Sequence, residues 1–143
     1  MMLSRTWSLL IGVSLAVLMM CSSAMSDDAT NARAKKFVDA HVAKMRPLDK
    51  EAGIAWWDAN TSGKDEDFAR KEVAQNKIDA ALADPVVFRE LKAVKESGKV
   101  SDKLLARQID VLYLLYLEKQ VDPLLLREMV AKANAVEKGF NVF

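Results

Sequence analysis

A chain of 143 residues, 51% of them hydrophobic, has the length of one domain and enough apolar content to build a core. Its 21 basic side chains, of which Arg5 lies in an apparent leader, stand against 20 acidic ones. Without that leader the chain is formally neutral, which argues against nucleic acid, a partner that needs a basic excess on one face.

Residues 1–24 have the pattern of a signal peptide, leaving a mature domain over 25–143. Arg5 is the positive start, residues 8–20 (SLLIGVSLAVLMM) are the apolar stretch, and Ser22-Ser23-Ala24 offers small residues for cleavage. The expected location is periplasmic or secreted. About 13 apolar residues are short for a membrane span, although an uncleaved anchor is the alternative. Cys21 is the only cysteine, so no intramolecular disulfide can form. Its place after the apolar run is also that of a lipid attachment site, but Leu18-Met19-Met20 matches a lipobox poorly. Membrane contact is therefore expected only through the leader or a lipid on Cys21.

The mature chain predicts an all-α fold of about five helices. Asp28 or Thr30 can cap the first, and Phe37, His41, Met45, Leu48, Ala52 and Ala55 recur every three or four residues through it. Pro47 falls inside this pattern without shifting its phase, which predicts one long, kinked helix over about 30–60. Asn60-Thr61-Ser62-Gly63 should break it. A second helix over 64–83 opens with Asp65, Glu66 and Asp67, where the helix dipole favours acids, and has a narrow face of Ala74, Ile78, Ala81 and Leu82. Asp84-Pro85 starts a third, which carries Val87, Phe88, Leu91 and Val94 and stops at Gly98.

Residues 101–120 (SDKLLARQIDVLYLLYLEKQ) are apolar around most of a helical cylinder, which predicts a central helix covered by the others. Ser101 is its expected N-cap, with Val100 and Leu105 as a staple. Asp122-Pro123 repeats the start signal for a fifth helix presenting Leu125, Leu126, Met129, Val130, Ala133 and Val136, closed by Gly139. The tail, Phe140-Asn141-Val142-Phe143, alternates as a strand would. It is expected to be a truncated strand or, alternatively, a tail folded back on the helices.

Candidate sites are few. A lone histidine excludes the H-E-x-x-H zinc helix, and His41, on the apolar face of the first helix, is expected as a packed or partly exposed structural residue rather than a ligand. No Ser-His-Asp or Cys-His set and no glycine-rich phosphate loop can be assembled, so neither catalytic nor metal residues are assigned. Asp65 and Glu66 are explained as helix-start charges. The Trp56-Trp57 pair, beside Asn60 and Thr61, either lines a groove or places one ring in the core, and the second arrangement is the expectation. Asn60-Thr61-Ser62 also fits a glycosylation triplet.

The segments AKKFVDAH (34–41) and AWWDANTSGKDEDF (55–68) resemble the opening of the angiotensin-converting-enzyme family of zinc peptidyl-dipeptidases. Phe37-Val38 match a pair in that family's first long helix, and Trp56, Asn60 and Thr61 match its tryptophan-containing turn that ends in Asn-Thr. Asp84-Pro85, the Leu/Tyr-rich helix and the aromatic-Asx-Val tail follow in similar order. The resemblance spans about 30–143, the first fifth or so of a full member. It implies an all-α fold whose first helices form a lid over a peptide-binding cleft. It also implies zinc and a peptide substrate for the full-length protein, with the zinc motif far downstream, so this chain carries no counterpart to it. A different reading of the same residues is a self-sufficient exported helical module that binds a peptide or partner protein without enzymatic activity.

Overall fold

The computed structural model describes the backbone over residues 4–141 and the side chains over residues 27–141. Five helices follow one another: α1 (Ser4–Ser62), α2 (Asp65–Leu82), α3 (Pro85–Glu96), α4 (Lys103–Leu117) and α5 (Pro123–Asn141). The expected all-α, five-helix architecture is what forms, with no strand among the described residues. The expectations for the side chains of Arg5 and Cys21, for the cleavage point at 22–24, and for Val142 and Phe143 lie outside the described residues.

Local chemistry explains most helix boundaries. The Asp84 carboxylate accepts from the backbone N–H of Val86 and Val87, and Pro85 sits at the first helical position, where its missing N–H costs nothing. Asp122 does the same for Leu124 and Leu125. Gly63 (φ 67°) and Gly98 (φ 63°) take the left-handed conformation that reverses the chain after α1 and α3. Pro47 lies inside α1, which continues past it.

Four boundary expectations change. α1 is already helical ahead of Asp28 and Thr30, so neither caps it, and it runs to Ser62 rather than breaking at Asn60. The Asp102 carboxylate, accepting from Leu105 N–H at 2.9 Å, caps α4 in place of Ser101. Ser101 is taken instead by Asn31, which accepts from its N–H (3.0 Å) and donates to its hydroxyl (2.8 Å). The tail is helical through Asn141, past Gly139, so the expected strand is not present at 140–141. Val136 and Phe140 are also one helical turn apart, and Asn141 donates back to the Glu137 carbonyl, so the alternation is equally compatible with a helix.

Cross-links set the packing. Glu51 pairs with Lys77 at 2.5 Å and Asp58 lies 3.9 Å from Arg70, so α1 and α2 run antiparallel. Lys95 pairs with Asp110, and Phe88 stacks on Tyr113 at 5.6 Å, which makes α3 and α4 an antiparallel hairpin. That hairpin lies against the α1 stretch 31–48, while α5 packs on α2 and reaches the end of α1. The main core is built by α1–α4: Phe37 and Met45, Ala81 and Leu82, Leu91 and Val94, and Ile109, Leu112 and Tyr116. Leu126 is the buried contribution of α5.

The position of α4 corrects the expectation of a covered central helix. Ile109, Leu112 and Tyr116 are buried, but Leu104 is 71% exposed and Leu114 63%, with Val111 and Leu117 also exposed. On α5, Leu125, Met129 and Val136 of the expected apolar face are exposed as well. The four helices available cover only one side of α4.

Tyr116 joins α4 to α1. It is 1% exposed, its ring meets Phe37 edge-on at 5.9 Å, and its hydroxyl lies 3.1 Å from His41 Nδ1. His41 is accordingly half-buried, with its ring against Tyr116 at 5.6 Å. Tyr116→Phe should cost about 1–2 kcal/mol by leaving the imidazole nitrogen unpaired, and Tyr116→Ala about 3–5 kcal/mol by opening a cavity. Urea unfolding of the two variants against the parent measures both.

Burial holds His41 below the usual histidine pKa, opposed by the more distant charge of Asp49. The unfolded chain therefore binds a proton there more readily than the folded one, so His41 lowers stability as pH falls through the histidine range. His41 is the only histidine, so the Tm should decline between about pH 7 and pH 5, and His41→Gln should flatten that decline.

Candidate functional site

The end of α1 meets α2 and α5 at a groove of about 370 Å³. Its apolar wall is Leu126, Met129, Val130 and Ala133, one face of α5, with Trp56 of α1 at the rim. Charged groups stand at both ends. From Leu126 to Glu137 the wall runs about 16 Å, enough for roughly five extended residues.

At the Trp56 end, Glu137 accepts from Lys71 and from Asn60 Nδ2 at 3.0 Å. Burial alone would push the Glu137 carboxyl up, but those donors and the Lys71 charge outweigh it and hold it below the usual range. Lys71 also donates to Asn134 Oδ1 at 3.2 Å. Asn134 Nδ2 donates to the Phe68 carbonyl (3.1 Å) and to Glu72 (3.3 Å). Asn60 donates to the Trp56 carbonyl at 2.8 Å and accepts from Asn141 at 2.6 Å. At the other end the buried Asp79 accepts from Gln75 (3.0 Å) and pairs with Lys119 (3.4 Å). Burial would lower the Lys119 ammonium, yet Asp79 and Glu118 raise it overall.

Of the residues named from sequence, Trp56 and Asn60 come together at this site. Trp57 and Thr61 do not line it. Trp56 is 49% exposed and Trp57 64%, so the expectation that one ring would pack in the core is corrected. Consecutive residues on a helix diverge by about 100°, and with α2 and α5 together on one side of α1, neither ring faces the α3–α4 core. Thr61 Oγ1 donates to the Trp57 carbonyl at 2.8 Å, a bond within its own helix. The Asn60 amide is engaged on both its nitrogen and its oxygen, an arrangement unsuited to a glycosylation acceptor.

Lys71, Glu137, Asn134 and the Asp79–Lys119 pair escaped the sequence reading. Asp79 and Asn134 did carry a signal: each is a polar residue set among the apolar positions of its helix, and a buried polar group needs a partner. The partners lie 40 to 66 residues away and cannot be named without the fold.

A second, more apolar cleft of about 420 Å³ lies between α1 and α2, lined by Ile54, Ala55, Val73 and Ala74. Its charges, Glu51 and Asp58, are turned toward Lys77 and Arg70. With no convergent polar groups to orient a ligand, it is the weaker candidate. Chemically, the α2–α5 groove offers contact area and fixed charges. It brings together no nucleophile with a base. Among the described residues no three His, Cys, Asp or Glu side chains converge as a metal site, so the residues present do not fit the zinc of the resembled family.

Fold and groove define an all-α, five-helix unit with a tryptophan at the rim of a peptide-sized channel. No family model, no curated protein and no solved structure matches the chain.

Lys71→Met and Glu137→Gln should each cost on the order of 1–3 kcal/mol, because either leaves a partly buried charge unpaired. The double variant should cost less than the sum, and a double-mutant cycle by urea unfolding reads the coupling directly.

Proposed function

We propose that this chain forms the helical wall of an exported, zinc-metallopeptidase-like protein acting on peptides, and that it carries none of that protein's catalytic residues. The observation carrying this reading is the uncovered apolar face of α4, formed by Leu104, Val111, Leu114 and Leu117, beside a core that closes without it. A face of that kind is built to be packed against more protein. The resemblance of residues 34–41 and 55–68 to the opening of the angiotensin-converting-enzyme family supports taking that further protein to be the rest of such a peptidase. The groove at Trp56 then serves as a contact surface for substrate peptide, and zinc belongs to the part that holds the H-E-x-x-H motif. An antibody to α2–α4 should precipitate, from cells that make the protein, a zinc-dependent peptidase that releases dipeptides and is blocked by a chelator. A precipitate with no chelator-sensitive peptidase activity refutes the reading.

One observation favours a second reading, that of a self-sufficient peptide-binding module: the groove is preformed, with its polar ends already paired. The two readings differ in what happens to the α4 face in the isolated chain. On the first, the chain is helical but self-associates as concentration rises, and Leu114→Glu with Leu117→Glu renders it monomeric with unchanged helicity. A parent chain that is monomeric at every concentration supports the second. Sedimentation and circular dichroism distinguish them.

A further inference from the structure

Between α1, α3 and α4, well away from the Trp56 groove, lies a cleft of about 210 Å³. It is lined on its apolar side by Phe37 of α1, Val87 of α3 and the largely buried Tyr116 of α4. Along it, α1 places Lys36, Ala40 and Lys44 at successive turns of one face, with His41 beside them. The small Ala40 leaves a gap between the two lysines. Both are exposed, and neither has an ion-pair partner among the described residues, whereas Arg33 stands 3.9 Å from Glu90, the acid on the α3 side. The cleft thus presents two uncommitted cations beside an apolar lining.

His41 adds a third donor. Burial raises the Tyr116 phenol above its ordinary pKa, so the phenol keeps its proton and has one to give to Nδ1 of the neutral imidazole, 3.1 Å away, in the tautomer that leaves Nδ1 bare. In that tautomer the ring proton sits on Nε2. Lys36, Lys44 and Nε2–H can converge on one carboxylate, and the apolar side takes a compact apolar group. A dianion such as phosphate fits less well, because Glu90 faces the same space and the apolar side offers it no partners.

We propose that this cleft binds a small monocarboxylate bearing an aromatic or compact apolar group, its carboxylate held by Lys36, Lys44 and His41 and its apolar part resting on Phe37, Val87 and Tyr116. The site is independent of the peptidase reading above and stands or falls separately. The charged and titratable groups around His41 are Lys36, Lys44 and Asp49 on its own helix, Glu90 on α3 and Tyr116 on α4, with Asp84 acting on Tyr116.

Because His41 is the only histidine, its imidazole gives a single NMR reporter in the full chain. Adding 3-phenylpropionate should shift that signal saturably in the millimolar range. It should also raise the imidazole pKa, since a bound carboxylate favours the charged ring. The neutral 3-phenylpropanamide should have no such effect, and acetate a weaker one. Lys36→Ala with Lys44→Ala should weaken binding at least tenfold while leaving helicity unchanged, because both positions are exposed and alanine is the best helix former. N-acetyl-Gly-Phe binding as tightly as phenylpropionate identifies a peptide C-terminus as the carboxylate source, and its failure beside phenylpropionate binding identifies free acids. No saturable shift with phenylpropionate, equal binding of the amide, or undiminished binding by the double variant overturns the proposal.

Discussion

The contact on which the fold most depends is the seating of Tyr116 against Phe37 and His41. α1 and α4 are separated by more than forty residues, and α3 and α4 form a hairpin that has to be fixed to α1 at a definite height and rotation. An aromatic ring buried edge-on against another aromatic, with its hydroxyl on an imidazole, supplies both area and direction, because the hydrogen bond holds at one angle only. Leu82, Leu91, Val94 and Ile109 fill in around it, and they work through area alone. Asn31 with Ser101, at the far end of the same contact, fixes the second point that stops the hairpin from pivoting.

The groove rests on a different kind of interaction. α5 adds little to the main core and is held to α1 and α2 largely through Lys71, Glu137, Asn134, Asn60 and Asn141. Polar networks of this sort define position sharply while contributing modestly to stability. They also leave the apolar side of α5 open to solvent, because among the described residues no helix lies beyond it. A surface that is accurately placed yet uncovered suits recognition better than it suits packing.

Much of the architecture was legible in the sequence because it is local. Asp84-Pro85 and Asp122-Pro123 begin helices through carboxylate caps made within three residues, and Gly98 reverses the chain through its own φ. What stayed hidden was decided across the chain. Ser101 is as good a cap as Asp102, but Asn31 lies 70 residues away and claims it. An apolar circumference on α4 shows that the helix has surface to bury, without showing what buries it. The alternation of Phe140 and Val142 was compatible with a strand until Asn141 reached Glu137 and Asn60. For the groove, Trp56 and Asn60 stood out as residue types, whereas the lysine and glutamate that define it belong to ordinary charged helix surfaces in the sequence.

The course of α1 through Pro47 has a mechanical consequence. Toward the C-terminus from this proline α1 is splinted by antiparallel α2, and toward the N-terminus by the α3–α4 hairpin. Extending the Glu51–Lys77 and Asp58–Arg70 register brings Ala81 and Leu82, the last turn of α2, level with the proline, where they meet Met45 in the core. The one backbone bond missing from the rod is therefore crossed by side-chain packing, so the two splints overlap at the weak point. A bend of about 10° there would carry Asn60 some 3–4 Å sideways along a rod with a 1.5 Å rise per residue. The clamp resists that lever arm and holds the Asn31 and Asn60 ends of the packed rod at a fixed span.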